Sequence, residues 1–141
     1  PHISLGAGGI PESIYVHHNG FGDCGAQSAY FSALCRAVGI PARTTGGWQL
    51  IPGVEGPHFW AEFYLPNYGW LPVDTSIAQI ARYLPELTAA QRDRFQNYFF
   101  GNMDPFRLVI QKDLDLPLTP PPALSPLVSM VLQVPEAQCH P

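Results

Sequence analysis

The chain has few charged residues and no concentration of positive charge. Charged side chains make up 13% of its 141 residues, and 7 basic against 11 acidic residues give a formal net charge of −4. Among the basic residues, only Arg92 and Arg94 lie close together in the sequence. Because binding to nucleic acid phosphates needs a clustered basic face, the composition argues against nucleic acid as a partner.

The sequence also lacks a long apolar run. No stretch approaches the roughly 20 consecutive apolar residues that cross a bilayer as a helix, so we expect no membrane partner. The chain begins at Pro1 rather than at Met. A processed N-terminus, or a piece of a longer protein, is therefore compatible with the sequence.

Cysteine is scarce, with three residues at positions 24, 35 and 139. Cys24 and Cys35 are predicted to share one helix, which places them roughly 16 Å apart along it, beyond the reach of a disulfide bond. No Cys-x-x-Cys or His-x-x-x-His pair suggests a zinc site, and the adjacent His17 and His18 would point apart in an extended segment. We therefore expect no disulfide framework, no metal and no cofactor.

Glycine, proline and the spacing of apolar residues predict the order of the elements. They are an irregular Gly-rich leading segment over 1–22, a helix over 24–38 capped by Asp23, strands over 42–51, 58–65 and 70–74, a helix over 88–99 with a Thr88–Gln91 capping box, and a strand over 106–112. Gly46-Gly47 inside the first strand is typical of a β-bulge. One helix followed by antiparallel strands favours an α+β fold, with the helix packed on the sheet.

The C-terminal part of the chain has a different composition. Five prolines fall between Pro117 and Pro126, which favours an extended and semi-rigid segment. We therefore predict a core domain over residues 1–115 and a Pro-rich extension over 116–141, with one further strand as a candidate over 127–134.

Cys24 has the position expected of a nucleophile. It opens the predicted helix, where free N–H groups and the helix dipole favour negative charge, and the thiolate is the nucleophilic form of cysteine. Gly22 and Gly25 leave little side-chain bulk beside it, so a substrate carbonyl could approach. The alternative is a buried, inert thiol, which is how we interpret Cys35, deep in the same helix among apolar residues.

His58 and Asp74 lie at the same end of a predicted hairpin, eight residues on either side of Pro66. Side chains that are neighbours across two strands are close enough for Asp74 to accept the imidazole N–H and to hold its tautomer. Alternatively, His58 is a structural histidine, and Asp74 caps a helical turn at Thr75-Ser76. Both roles of Asp74 can hold together.

Four further residues are candidates for supporting such a site. Trp60 would shield it, although aromatic residues on strands more often belong to the core. Glu62 is either a second carboxylate near the site or a solvated strand residue. An acyl-transfer site needs donors for the oxyanion, and we predict the backbone N–H of Cys24 for this role, together with the side chain of His18 or Asn19.

Several blocks of sequence together resemble the transglutaminase-like superfamily of microbial proteins. The blocks cover roughly residues 22–76 and are Gly22-Asp23-Cys24, the 33–43 stretch that ends in Gly39-Ile40-Pro41-Ala42-Arg43, His58-Phe59-Trp60-Ala61-Glu62-Phe63-Tyr64, and Gly69-Trp70-Leu71-Pro72-Val73-Asp74. The resemblance implies a papain-like α+β fold with Cys24 as nucleophile, His58 as base and Asp74 as the group that orients the base. It also implies acyl transfer from a peptide or protein amide through a thioester.

Two departures from the animal members of the superfamily bear on the reaction. Those calcium-dependent enzymes carry Trp directly after the catalytic Cys, whereas Gly25 follows here, and no acidic cluster suited to calcium is evident. Helices that usually precede the core are not evident either. We expect hydrolysis, as a peptidase or amidase, rather than cross-linking. A non-catalytic binding or scaffolding domain with the same fold is the alternative.

Overall fold

The structure, a computed structural model, describes residues 11–112. The elements in chain order are α1 (Glu12–Asn19), α2 (Cys24–Ala37), β1 (Ala42–Gln49), β2 (Gly56–Leu65), β3 (Gly69–Val73), α3 (Thr75–Ile80), a 3-10 turn (Ala81–Tyr83), α4 (Ala89–Tyr98) and β4 (Arg107–Gln111). The candidate strand over 127–134 and Cys139 lie outside the described residues. Within 11–112, the helices are too short and too polar to cross a bilayer.

The strands form one antiparallel sheet in the order β3-β2-β1-β4. Helix α2 packs on β1 and β2. The core between them is centred on the buried Ala42, Phe63 and Val73, with Phe31 and Cys35 of α2 packed against these side chains. The predicted α+β arrangement, with the cysteine-bearing helix on an antiparallel sheet, is confirmed.

Local signals in the sequence correctly marked the ends and irregularities of several elements. The carboxylate of Asp23 accepts a hydrogen bond from the N–H of Ala26 at 3.1 Å and so caps α2. Thr88 and Gln91 form the predicted capping box of α4. The pairing of β1 with β4 shifts register between Gly46 and Gly47, which confirms the predicted bulge.

The prediction that residues 1–22 form an irregular segment is wrong for its second half, which contains α1. Pro11 is compatible with the start of a helix, residues 12–19 contain no glycine, and Gly20 ends α1 in the left-handed conformation at φ 74°, which glycine adopts without strain. Because glycines lie on both sides of residues 12–19, the sequence pattern did not indicate the short helix between them.

Candidate active site

Cys24 is the first residue of α2 and is partly exposed. Its backbone N–H belongs to the first helical turn, where N–H groups have no partner within the helix. Gly22, just before it, has a packing role: a Cβ there would lie 2.8 Å from Val16 Cγ2 and 2.9 Å from Ala26 Cβ. The glycine therefore lets α1 approach the start of α2, which differs from the predicted role of leaving space for a substrate.

His58 lies near the start of β2, and Asp74 directly follows the end of β3. The last strand pair on this side is Ala61 with Val73, so Asp74 and His58 are diagonal neighbours across the two strands. Diagonal neighbours are within reach of long side chains, and the His58 Nε2–Asp74 Oδ2 distance is 2.7 Å. The contact predicted between these two side chains is therefore present.

Asp74 is fully buried, and both of its carboxylate oxygens are used. Oδ1 accepts hydrogen bonds from the N–H of Ile77 and from the hydroxyl of Ser76, each at 2.9 Å. These bonds cap α3. Oδ2 faces the imidazole of His58. Asp74 thus has both of the roles that the sequence left open, helix cap and imidazole partner.

The thiol of Cys24 also interacts with the imidazole of His58, and this interaction contributes to the raised pKa of the ring. Since Nε2 is occupied by Asp74, Nδ1 is the ring nitrogen that remains for the thiol. Burial by itself would lower the pKa of His58, but the hydrogen bonds and charges of Asp74 and Cys24 raise it from 6.5 to about 9. The ring therefore carries a positive charge at neutral pH, between a carboxylate and a thiol.

The pKa of Asp74 is shifted in the opposite direction to that of His58. Burial would raise its pKa, but the hydrogen bond and charge of His58, the N–H of Ile77 and the charge of Arg107 lower it below the ordinary 3.8. An anion that accepts several hydrogen bonds beside two cations is favoured over its protonated form. Asp74 is accordingly ionised at neutral pH.

Arg107 was not among the predicted site residues. The side chain of Arg107, the first residue of β4, is 5% exposed, and its Nη1 lies 3.0 Å from Asp74 Oδ2. Asp74 directly follows β3 and Arg107 begins β4, and these two strands form opposite edges of the sheet. The only sequence signal was the closeness of the opposite charges of Asp104 and Arg107, which is compatible with the local ion pair that they form and gives no reason to connect Arg107 with Asp74.

Trp60 supports the imidazole from one side. Its side chain is 2% exposed, and its ring lies 6.3 Å from that of His58, with 29° between the ring planes. The guanidinium of Arg107 lies over the same indole at 5.5 Å from its centroid. Trp60 thus contacts both of the cationic groups that contact Asp74, and its role in shielding the site stays a prediction.

The remaining candidates have other partners. Glu62 pairs with Arg43 at 2.6 Å, and Arg43 lies 3.9 Å from the centroid of Trp70, so this carboxylate is engaged away from His58. Asn19 donates its side-chain N–H to the carbonyl of Tyr15 at 2.8 Å, within α1. His18 is exposed near the end of α1. A role for His18 or Asn19 in binding an oxyanion stays a prediction.

Comparison with known proteins is consistent with this geometry. Residues 7–75 match the family model described as the transglutaminase-like superfamily. An uncharacterized protein of Haemophilus influenzae is 31% identical over 130 residues, which cover 75% of this chain and 35% of that protein. A protein-glutamine gamma-glutamyltransferase of Pseudomonas aeruginosa is 32% identical over 81 residues, which cover 50% of this chain and 12% of that protein.

The chain spans about a third of the first of these relatives and about an eighth of the second. No solved structure matches it at a significant level. The region matched by the family model contains Cys24, His58 and Asp74 and ends just after β3. Taken with the α+β fold and a cysteine at the start of the helix that packs on the sheet, this match supports membership of the chain in the transglutaminase-like superfamily.

Proposed function

We propose that the chain is a cysteine enzyme that transfers an acyl group from an amide to an acceptor through a thioester. Cys24 is the nucleophile, His58 is the acid and base, and Asp74 orients the imidazole. The observation that carries the proposal is the imidazole of His58, which is hydrogen-bonded to the buried carboxylate of Asp74 and interacts with the thiol of Cys24 at the start of a helix. A thiolate beside an imidazolium is the activated form of a cysteine nucleophile.

In the acylation step, the Cys24 sulfur attacks the amide carbonyl carbon and forms a tetrahedral intermediate. The proton on His58 passes to the leaving nitrogen as the C–N bond breaks, so that ammonia or an amine departs and a thioester remains. The backbone N–H of Cys24 is our candidate donor to the oxyanion, because first-turn N–H groups point away from the helix and are free to donate.

In the deacylation step, His58 is neutral and takes a proton from the acceptor as it attacks the thioester. Attack by water releases a carboxylic acid, the Cys24 sulfur leaves as the thiolate, and His58 keeps the proton, which completes hydrolysis. We favour water as the acceptor because Cys24 is partly exposed to solvent, and water is always present there. The substrate class that we propose is a peptide or protein amide.

Transfer to an amine is the second candidate reaction. It is favoured by the similarity to the Pseudomonas aeruginosa protein, whose description is protein-glutamine gamma-glutamyltransferase. The chemistry up to the thioester is the same in both cases, and the acceptor that reaches the thioester decides the product.

Ammonia release in the presence and absence of a primary amine tests the proposal and separates the two reactions. We expect the protein to release ammonia from glutamine-containing peptides and peptide amides, and to yield mainly the carboxylic acid when an amine is also present. Mass spectrometry of the peptides measures both products. An amine adduct as the main product would favour transfer, and the absence of both products would favour a binding or scaffolding domain.

The thiol of Cys24 is expected to be much more reactive than that of Cys35. Cys35 packs against the core, and burial raises the pKa of its thiol, so little of it is thiolate at neutral pH. At pH 7, a limiting dose of iodoacetamide should label Cys24 at least about tenfold faster than Cys35. Peptide mapping by mass spectrometry measures the two rates in one sample.

The variant His58→Ala provides the control for this difference. It removes the imidazolium beside Cys24 while leaving Cys35 in its place in the core, so only the labelling of Cys24 should slow. Equal rates at the two cysteines in the wild type, or equal slowing in the variant, would contradict the assignment of Cys24 as the nucleophile.

A further inference from the structure

Arg107 is a buried cation with three sets of contacts. Its Nε donates to Oδ1 of Asp104 at 3.2 Å and its Nη2 donates to Oδ2 at 2.6 Å, in the forked arrangement that arginine forms with a carboxylate. Its guanidinium lies over the indole of Trp60. The remaining nitrogen, Nη1, lies 3.0 Å from Asp74 Oδ2. Asp104 and Trp60 thus fix the guanidinium at a position where it faces Asp74.

The same oxygen of Asp74 contacts both Arg107 and His58. The other oxygen is held by Ser76 and Ile77, so each oxygen of this carboxylate has two partners. The contact of Nη1 with Oδ2 lacks the alignment of a hydrogen bond, and it therefore acts mainly through charge.

We propose that Arg107 is a positioning residue of the acyl-transfer site, which holds the Asp74 carboxylate in place as an anion while the charge of His58 changes during the reaction. The inference rests on the proposed function of the site. The sequence resemblance covers roughly residues 22–76, and the matched family region ends at residue 75, so neither of them points to Arg107.

The need for such a residue follows from the reaction. When His58 gives its proton to the leaving nitrogen, a fully buried carboxylate loses one of its two positive neighbours. An isolated buried carboxylate tends to take up a proton, and the nearest proton is the one on Nε2 of His58. A guanidinium stays protonated throughout the pH range of proteins. Arg107 therefore keeps Asp74 ionised in the half of the cycle in which the imidazole is neutral.

The first test is a titration that does not depend on turnover. The ring signals of His58, assigned by comparison with His58→Gln in histidine-labelled protein, should show an acid-side inflection where Asp74 takes up a proton. In Arg107→Met, this inflection should move to higher pH, because a cation next to the carboxylate is lost. In Arg107→Lys, it should move less. An inflection at the wild-type pH in Arg107→Met would overturn the proposal.

The second test is kinetic. Because Arg107 acts through Asp74 and does not touch the substrate, Arg107→Met should lower kcat by roughly 10- to 100-fold and change KM by less than about threefold. Arg107→Lys, which keeps the charge and loses the fork, should recover part of kcat. A wild-type kcat in a folded Arg107→Met protein would show that Arg107 merely joins β4 to the sheet, and would overturn the proposal.

Arg43 offers a matched control. It too pairs with a carboxylate, that of Glu62, and lies over an indole, that of Trp70. Arg43→Met should therefore lose comparable contacts while leaving kcat within about twofold of the wild type, because its partners are not those of Asp74. A similar loss of kcat in Arg43→Met would show that removal of either arginine disturbs the fold, and would count against a specific role of Arg107.

If Arg107→Met does not fold, Asp104→Asn and Arg107→Lys carry the test. Both keep a cation near Asp74 and loosen its attachment, so both should lower kcat while the inflection of His58 stays near its wild-type pH. Wild-type kcat in both would overturn the proposal. Failure of the proposed function is distinguishable, because it would appear as unchanged turnover in Cys24→Ala, whereas the titration reports on Arg107 and Asp74 alone.

Discussion

Cys24→Ala is expected to abolish turnover while the protein stays folded. The substitution removes the sulfur that attacks the carbonyl, and we expect a loss of at least about 10⁴-fold, since removal of a nucleophile alone costs about 10⁶ in a serine protease. Alanine is a good residue for the first turn of a helix. The hydrogen bond from Ala26 to Asp23 that caps α2 does not involve the thiol. Initial rates and thermal unfolding measure the two effects.

Cys35→Ala is the matched control in the same helix. Cys35 contributes to the packing of α2 against the sheet, so this variant should lower the unfolding temperature while keeping its activity. The two variants should therefore show opposite patterns, one losing activity and the other losing stability. Turnover that persists in Cys24→Ala would rule out a thioester at this position. If the wild type and Cys24→Ala are both inactive and bind a peptide equally well, a scaffolding domain would be favoured.

The parts of the fold that the sequence predicted correctly depend on contacts between residues near each other in the chain. Asp23, Thr88 and Gln91 mark helix starts because their side chains bond to N–H groups within three residues. The hairpin of β2 and β3 was predictable because Pro66 and the residues after it form a short turn. These signals brought His58 and Asp74 to one end of the hairpin, and they limited where Cys24 could lie.

The parts that the sequence did not predict depend on distant contacts or on competing local signals. Helix α1 is short and has glycines on both sides, so its own pattern was weak, and it is packed against α2. The approach of Arg107 to Asp74 joins residues from opposite edges of the sheet. No periodicity in a single sequence predicts such a contact, and the three-dimensional packing around Trp60 was needed to find it.

Asp74→Asn is expected to lower kcat by roughly 10- to 10³-fold. The equivalent change in the serine-protease triad, where the asparagine stabilises the wrong imidazole tautomer, lowers kcat by about 10⁴-fold. We expect a smaller loss here because a cysteine is more acidic than a serine and depends less on its base. Asparagine is as good a helix cap as aspartate, so α3 should persist, and the loss should report on the imidazole.

The pH dependence gives this prediction a definite sign. Asp74 is one of the groups that raise the pKa of His58 to about 9, so its replacement by a neutral amide lowers that pKa toward 6.5. His58 would then lose its proton at a lower pH. The basic limb of the rate profile, and the upper end of the range in which an imidazolium faces Cys24, should both move to lower pH. The pH profiles of turnover and of Cys24 alkylation measure these shifts.

The free energy of unfolding should depend on pH through the same titration of His58. A histidine whose pKa is raised in the folded protein stabilises it fully below the ordinary pKa of 6.5, and this contribution is lost as the pH rises through about 9. The difference in unfolding free energy between the wild type and Asp74→Asn should therefore be largest between pH 3.8 and pH 6.5 and narrow toward pH 9. The lowered pKa of Asp74 makes its own contribution present above 3.8 and lost in more acidic solution.

Glu62→Gln is the matched control, because it changes a carboxylate to an amide at a residue of β2 that pairs with Arg43 rather than with His58. It should leave the pH profiles of turnover and alkylation unchanged. If instead Asp74→Asn keeps the wild-type rate and profiles, Asp74 serves only as the cap of α3. If Glu62→Gln shifts them, Glu62 would be the group that orients His58, and the buried contact between His58 and Asp74 would serve the fold alone.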